Sequence, residues 1–220
     1  DWSSDVCSSD LLLLNRGGRF ETRPLPREAQ FAPAPGPVVA DFDGDGHEDV
    51  LLSQNFFAWN GDTARQDAGR GLLLRGDGRG ALTPVPGQRS GVLVWGDQRA
   101  AAVADYDGDG RLDVAIAQNG AATRLLRNAG ARPGVRVRLA GPPGNPAGVG
   151  AQLRMEASGR HGPVREISAG AGWLAQHSAV TVLAAPEGPA TLHVRWPGGR
   201  TNAVVVPAGA GEVGVAFPNP

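Results

Sequence analysis

The sequence predicts an all-β protein in which stacked β units are followed by a small β-sandwich or barrel. Three observations support this fold class. The 33 Gly and 18 Pro among 220 residues divide the chain into short runs, which is typical of turn-rich β-structure. A strand-loop-strand segment occurs twice. The C-terminal part contains several short runs in which apolar and polar residues alternate.

Composition excludes two classes of protein. The formal net charge is -1, and the 21 basic residues are all Arg and are scattered along the chain, so we expect no nucleic-acid partner. A membrane-spanning helix needs about 18 apolar residues in succession. The four leucines at 11–14 fall far short of that length, so we expect no membrane span in this sequence.

Residues 1–11 differ in character from the rest of the chain. They contain four Ser and the only Cys, and they look like translated read-through of a sequencing adapter. We therefore treat them as non-native and exclude them from the fold prediction. The remaining sequence has no cysteine and so no disulfide. We expect the natural N-terminus and any signal peptide to lie upstream, and the chain to begin inside a repeat.

A duplicated unit occupies residues 12–130. ADFDGDGHEDVLLSQN at 40–55 returns as ADYDGDGRLDVAIAQN at 104–119, 64 residues later. A second element recurs as LLLLNRGGRF, LLLRGDGRGAL and LLRNAG, each an apolar run ending in a Gly-rich turn, as expected for a strand entering a hairpin. Each unit must bury its apolar face by stacking. About two units are present, whereas four to eight blades close a propeller, so we predict a partial, truncated β-propeller.

Residues 131–220 predict a second β domain. After a Pro/Gly-rich passage, alternation continues in GVRVRLAG, AQLRMEA, PVREISA, AVTVLAA, ATLHVRW and NAVVVPA. Six short strands with turns between them are typical of a small sandwich or barrel.

The two Asp loops, residues 41–49 and 105–113, predict two Ca²⁺ sites. In each loop, carboxylates occupy positions 1, 3, 5 and 9 and would repel one another unless a cation neutralised them. Gly46 and Gly110 at position 6 allow a sharp turn that directs the position 7 carbonyl inward. The predicted ligands are Asp41, Asp43, Asp45, Asp49, Asp105, Asp107, Asp109 and Asp113 through their carboxylates, and His47 and Arg111 through their backbone oxygens.

The Asp loops have two other possible interpretations, an EF-hand and simple tight turns. An EF-hand needs a bidentate Glu at position 12, but Leu52 and Ile116 stand there inside strand-like runs, so an EF-hand is excluded. Alternatively, Asp and Gly only mark tight turns. The second copy and the acid at position 9 favour the metal, because ordinary turns do not require that acid.

The loops resemble the FG-GAP or VCBS repeats of integrin-like β-propellers, in which D-x-D-x-D-G-x-x-D binds Ca²⁺. The resemblance covers residues 12–128, and Glu48 departs from it by replacing an apolar residue at position 8. GVGAQLRM at 148–155, REISAGAGWLAQH at 165–177 and VRWPGGRTN at 194–202 resemble the ASPIC/UnbV domain of the cartilage acidic protein-like bacterial family. The resemblance implies an extracellular or periplasmic protein.

Residues outside the Asp loops offer weaker candidates. His161, His177 and His193 have no G-x-S-x-G or H-E-x-x-H context, so we predict no catalytic site. Trp173 and Trp196 could form a binding platform or fill the core. The connection at 55–71 could be functional or could fold over its blade and pair its own charges, carried by Arg65, Asp67 and Arg70.

Two functions remain open on this basis. The first is a non-enzymatic binding or adhesion-type module with a protein or carbohydrate ligand, whose two Ca²⁺ ions stabilise the blade loops. The alternative is an accessory or substrate-binding region of a larger secreted enzyme, which would have a pocket near Trp173 and His177.

Overall fold

The computed structural model describes residues 10–58, 65–172 and 174–218 of the chain. These residues form sixteen strands, one short 3-10 helix and one α-helical turn, which confirms the predicted all-β class. Residues 1–11 were predicted to be non-native. Residues 1–9 of that stretch lie outside the described residues, whereas Leu11 pairs with Pro24 in the first hairpin. Neither helix among the described residues approaches the length and apolarity of a membrane-spanning helix.

The strands up to residue 126 form three small antiparallel sheets. The first sheet is a hairpin, the second has the order β3-β4-β5-β6 and the third has the order β7-β8-β9; we call the last two the first and second blade sheets. The elements are β1 Leu11–Asn15, β2 Phe20–Pro24, the 3-10 helix Arg27–Phe31, β3 Gly36–Ala40, β4 Asp49–Ser53, β5 Leu72–Gly76, β6 Leu82–Val85, α1 Gly87–Ser90, β7 Asp97–Ala104, β8 Asp113–Asn119 and β9 Ala121–Leu126.

The blade sheets pack against each other through alternating apolar residues. In β3, Val38 is buried and Val39 points outward, as the period of two in a strand requires. Val38 and Leu51 of the first blade sheet share one apolar cluster with Val103 and Ile116 of the second. Each Asp loop joins the first two strands of its sheet, so the loops occupy equivalent places in the two blades.

Two of the three predicted hairpins are present. The leucine runs at 11–14 and 72–74 enter the hairpins β1-β2 and β5-β6. The third run differs, because no further strand among the described residues follows β9 in its sheet. Instead, Asn128 Nδ2 donates hydrogen bonds to the carbonyls of Phe42 and Leu112, at 2.8 and 3.2 Å, and the chain turns toward the C-terminal sheets.

Residues from 135 onward form two sheets that enclose one core. The three-stranded sheet has the order β13-β10-β16, with β10 and β16 parallel, and the four-stranded sheet has the order β12-β11-β14-β15. We call these the C-terminal sheets. Their strands are β10 Val135–Ala140, β11 Gln152–Ala157, β12 Arg160–Glu166, β13 Thr181–Leu183, β14 Ala190–Arg195, β15 Thr201–Val206 and β16 Glu212–Ala216.

Trp196 lies in the apolar core between these two sheets. Its side chain is 2% exposed, lies edge-to-face on Phe217 with ring centroids 5.3 Å apart, and donates its Nε1–H to Asn202 Oδ1 at 2.5 Å. Trp196 is therefore a core residue and not part of a binding platform. Trp173 lies outside the described residues.

The sequence prediction missed one strand of this domain. β16 is a five-residue strand that contains Gly214 and pairs in parallel with β10. A parallel partner must come from a distant part of the chain, so no local hairpin signal points to it. The only local indication of this strand is that Val213 and Val215 are separated by one residue, as in an alternating strand.

The C-terminal sheets lie directly against the blades. Val182 of β13 belongs to the apolar cluster of the blades, whereas Leu183, the next residue, belongs to the core of the C-terminal sheets. The Ser178 amide donates to the Val103 carbonyl at 3.0 Å, and the Gly134 amide donates to the Gly110 carbonyl at 2.7 Å. The Asp loops therefore lie at the junction between the two parts of the chain.

Candidate metal centres at the two Asp loops

The first carboxylate organises each Asp loop. Asp41 Oδ1 accepts hydrogen bonds from the amides of Gly44 and Asp45, at 2.8 and 3.1 Å, and its Oδ2 accepts one from Gly46 at 2.9 Å. Asp105 accepts three bonds from the equivalent amides, at 2.8, 3.0 and 2.9 Å. The two loops therefore have the same fold, as the repeat predicts.

Glycine is required at position 6 of both loops. Gly46 and Gly110 have φ angles of +89° and +81°, in the left-handed region that other residues rarely adopt. The φ of Gly44 at position 4 is +75°, and a Cβ there would lie 2.4 Å from the carbonyl oxygen of Arg132. The predicted sharp turn is present, and the first loop also packs closely on the segment that leads to the C-terminal sheets.

The acid at position 9 binds backbone amides on both of its oxygens. Asp49 is 1% exposed and accepts hydrogen bonds from Phe42 at 2.9 Å and from Gly76 at 2.8 Å. Asp113 accepts equivalent bonds from Tyr106 at 3.1 Å and Asn128 at 2.7 Å. This acid was predicted only as a ligand of the ion. It also fastens the first loop to the third strand of its sheet and the second loop to the segment just after that strand.

The loops bring their carboxylates together in two groups of three. One oxygen from each of Asp41, Asp43 and Asp49 lies within 4.8 Å of the others in the first loop. In the second loop the group is formed by Asp105, Asp107 and Asp109. Of the predicted carboxylate ligands, Asp45 and Asp113 lie outside these groups.

An arginine side chain lies on each group: Arg75 belongs to the third strand of the first blade sheet, and Arg127 directly follows the third strand of the second. Arg75 Nε is 2.6 Å from Asp43 Oδ2 and its Nη2 is 3.0 Å from Asp45 Oδ2. Arg127 makes the equivalent contacts, at 2.5 Å with Asp107 and at 3.1 Å with Asp109. Sequence reasoning missed both arginines, although each directly follows a run of leucines in the recurring LLLR and LLR elements.

The pKa values in the first loop reflect burial and crowding. Burial raises the pKa of Asp49 to about 6, against the lowering effect of its two amide donors, and the charges of Asp43 and Asp41 raise it further. Burial also raises the pKa of Asp41. Burial opposes ionisation of Asp45 as well, but bonds from the His47 amide and Arg75 outweigh it and lower that pKa. A fully ionised cluster thus benefits from a nearby cation.

The donor set fits a hard divalent cation. The ligand atoms that converge are carboxylate oxygens, which suit Ca²⁺. The His47 side chain is exposed, and the Arg111 guanidinium contacts Asp109 Oδ2 at 2.8 Å and the Ala131 carbonyl at 2.7 Å. The non-coordinating role of these side chains and the backbone coordination at position 7 both stay predictions.

Two residues of the C-terminal sheets contact the Asp loops. Arg136 Nε of β10 is 3.0 Å from Asp105 Oδ2 but does not have hydrogen-bonding geometry, so this contact is electrostatic. Arg165 Nη1 of β12 contacts Glu48 Oε2 at 2.5 Å. Burial raises the pKa of Glu48, and the Arg165 charge partly offsets that effect. This ion pair gives a structural reason for the acid at position 8 of the first loop, where the second loop carries Leu112.

The other polar candidates have structural contacts. His177 Nδ1 accepts a hydrogen bond from the Val103 amide at 3.3 Å, and Ser178 Oγ accepts one from the Val180 amide at 3.1 Å. In the described part of the 55–71 connection, Arg65 Nε pairs with Asp67 at 2.9 Å. Arg70 lies over the ring of Trp95, with 5.7 Å to its centroid. Arg65 and Asp67 therefore pair with each other, whereas Arg70 contacts an aromatic ring; residues 59–64 of the connection lie outside the described residues.

Comparison with known protein families identifies two regions. Residues 98–131, which include the second Asp loop, match the FG-GAP repeat, and residues 141–214 match the ASPIC and UnbV family. The first Asp loop lies outside the FG-GAP match and is linked to it by the internal repeat. No curated protein matches the chain in sequence. The chain therefore carries an FG-GAP repeat followed by an ASPIC and UnbV domain.

Proposed function

We propose that this chain is a non-enzymatic extracellular or periplasmic binding module, in which Ca²⁺ binds both Asp loops and stabilises the blades. The observation that carries the proposal is that both loops form the same backbone turn and that each gathers three carboxylates within 4.8 Å, at positions 1, 3 and 9 in the first loop and at positions 1, 3 and 5 in the second. Both matched families are repeat or binding-type domains. FG-GAP repeats are typical of extracellular or periplasmic proteins.

The ion has a structural role in this proposal. Ca²⁺ neutralises the carboxylates that otherwise repel one another, and the same loops contact the C-terminal sheets through Arg136 and Arg165. Extracellular calcium modules bind with Kd values of about 10⁻⁴ to 10⁻³ M, which suits calcium-rich surroundings. The separate strand pairing of β1–β9 and β10–β16 supports a boundary near residue 131 between blades and C-terminal domain.

Calorimetric titration of the full chain with CaCl2, followed by thermal unfolding with and without Ca²⁺, tests this proposal. We expect two ions per chain and a higher Tm in Ca²⁺. The double substitution Asp43→Ala and Asp107→Ala should remove most of that increase and leave the Tm in EDTA nearly unchanged. Glu187→Gln, which changes an exposed acid away from the loops, is the matched control. Equal calcium-dependent Tm shifts in the parent and the double variant would overturn the proposal.

A second candidate function is favoured by a cleft between the blades and the C-terminal sheets. The cleft has a volume of about 580 Å³, within the usual range for ligand sites, and is lined by His47 and Glu48 from the first loop region and Arg160, His161 and Arg165 from β12. A substrate-binding region of a larger secreted enzyme would use such a site. A catalytic domain encoded upstream in the same gene would support this function.

Carbohydrate binding at the cleft can be tested separately. A glycan array probed with the parent chain and with Arg160→Glu distinguishes the outcomes. Binding that is lost in the variant assigns a sugar ligand to the cleft. Binding that the variant retains places the sugar elsewhere, and an array with no signal leaves a protein as the proposed ligand of the module.

A further inference from the structure

The outer face of the four-stranded C-terminal sheet brings two histidines and one glutamate together. In β11, Leu153 and Met155 are buried, so Glu156 points to the opposite, solvent-facing side. Glu156 lies directly opposite His161 of β12 and opposite Thr191 of β14. His193, two residues beyond Thr191, lies on the same outer face. Three side chains from three adjacent strands thus converge: Glu156 and His161 belong to one hairpin, and His193 is 37 residues from Glu156 in sequence.

The two imidazoles approach the same carboxylate oxygen. His193 Nε2 is 2.9 Å from Glu156 Oε2, and His161 Nδ1 is 3.8 Å from that oxygen. The rings are 6.1 Å apart between centroids and inclined by 65°. The side chains of His161 and His193 are 47% and 42% exposed, so an ion can reach them from solvent.

We propose that Glu156, His161 and His193 form a binding site for a divalent transition-metal ion such as Zn²⁺, separate from the Asp loops. Two imidazole nitrogens and one carboxylate oxygen are a ligand set that Zn²⁺ accepts at about 2.0 to 2.2 Å. The three strands fix the backbones of the ligands. The three ligand atoms do not all lie within 4.8 Å of one another, so ion binding requires the exposed His161 side chain to turn toward His193. With three protein ligands, the fourth position of a tetrahedral ion stays open to water or to a group from a partner.

The ligand chemistry separates this site from the calcium loops. Imidazole nitrogen suits Zn²⁺, Cu²⁺ and Ni²⁺, whereas Ca²⁺ takes oxygen ligands. Excess Ca²⁺ therefore fills the Asp loops without competing for the histidines.

Calorimetric titration with ZnCl2 in about 5 mM CaCl2, above the range in which extracellular calcium sites fill, tests the site on the full chain. The chain should carry Cys7→Ser, because Cys7 is its only thiol. We expect one Zn²⁺ per chain. His161→Ala and His193→Ala should each weaken binding tenfold or more, whereas Glu187→Gln, a change at an exposed acid outside the cluster, should leave it unchanged.

Further variants keep the test decisive if an alanine variant folds poorly. His161→Asn and Glu156→Gln preserve polarity and should also weaken Zn²⁺ binding, while thermal unfolding in EDTA checks that the fold is intact. Visible absorption of Co²⁺ in place of Zn²⁺ should show the intense bands of a tetrahedral site in the parent and lose them in both histidine variants. No Zn²⁺ uptake, or uptake that is equal in the parent and both histidine variants, would overturn the site.

Discussion

The amide of Gly76 donates a hydrogen bond of 2.8 Å to Asp49 Oδ1 across 27 residues of sequence. The second blade sheet repeats this contact between Asn128 and Asp113 at 2.7 Å. The last acid of the Asp loop is therefore bonded to the third strand of its sheet in the first blade and to a residue two positions beyond that strand in the second. This acid supports the fold in addition to its proposed part in binding the ion.

Asp49→Ala should destabilise the protein whether or not Ca²⁺ is present. The substitution leaves the buried amides of Phe42 and Gly76 without acceptors, and each costs about 1–3 kcal/mol, so we expect a loss of about 2–4 kcal/mol. Urea denaturation in EDTA measures it. Asp43→Ala in the same loop is the control and should have a much smaller effect in EDTA. Equal losses in the two variants would contradict the structural role of Asp49.

Arg75→Met should increase the affinity of the first loop for Ca²⁺. The guanidinium contacts Asp43 and Asp45 and competes with the ion for their charge. Exposed ion pairs contribute about 0.5–1 kcal/mol, which corresponds to a decrease in Kd of about two- to fivefold. Calcium titration calorimetry provides the measurement. Arg124→Met, at an exposed position of β9, should leave the Kd unchanged, and a weaker site in Arg75→Met would refute the competition.

His177 should make the stability of the protein depend on pH. Burial lowers the pKa of His177 from its ordinary 6.5, so the folded state binds the proton less readily than the unfolded state. Its contribution to stability is complete above pH 6.5 and is lost as the pH falls through the lower folded pKa. Protonation also removes the acceptor for the Val103 amide.

Urea denaturation at a series of pH values from about 7.5 to about 5 checks this effect. The series begins above the ordinary pKa of histidine, where His177 is neutral in the folded and unfolded states. His177→Gln keeps an acceptor for Val103 but does not titrate. The free energy of unfolding of the parent should therefore fall more steeply with decreasing pH than that of the variant. Parallel pH profiles would exclude a contribution from His177.

Asn55→Ala should be far more destabilising than Asn119→Ala, although the repeat places the two residues at equivalent positions. Asn55 is fully buried and has a φ of +86°. Its side-chain Nδ2 donates a hydrogen bond to the Gly69 carbonyl, and its Oδ1 accepts one from the Gly69 amide. We expect a loss of about 2–4 kcal/mol from unsatisfied groups and backbone strain. Asn119 is exposed, so Asn119→Ala should lower the free energy of unfolding by less than about 1 kcal/mol. Similar losses in urea denaturation would contradict this difference.

Local patterns were sufficient to predict the blades and the Asp loops. The strands on either side of each loop follow from alternation and from short apolar runs, and the conformation of Gly46 and Gly110 follows from the spacing of the loop. These features depend on residues close together in sequence, so one sequence with an internal repeat reveals them.

Contacts between distant residues could not be predicted in this way. Arg75 reaches the first Asp loop only because β5 pairs with β4, and Arg136 reaches Asp105 only because the C-terminal sheets pack on the blades. Glu156, His161 and His193 meet through the register of three strands. Pairing register and domain packing decide these contacts, and neither is encoded in local periodicity.

The ASPIC and UnbV match begins at residue 141, just after β10 ends at Ala140. Yet β10 is the middle strand of its sheet and is hydrogen-bonded to both β13 and β16. A protein truncated at the family limit would expose two unpaired strand edges, a known cause of aggregation. A cut near residue 131 would keep the strand but still uncover Val182, whose side chain is buried among the blades. Val182 packs in the apolar cluster of the blades, and the adjacent Leu183 packs in the core of the C-terminal sheets. The two parts of the chain should therefore unfold together in a single thermal transition.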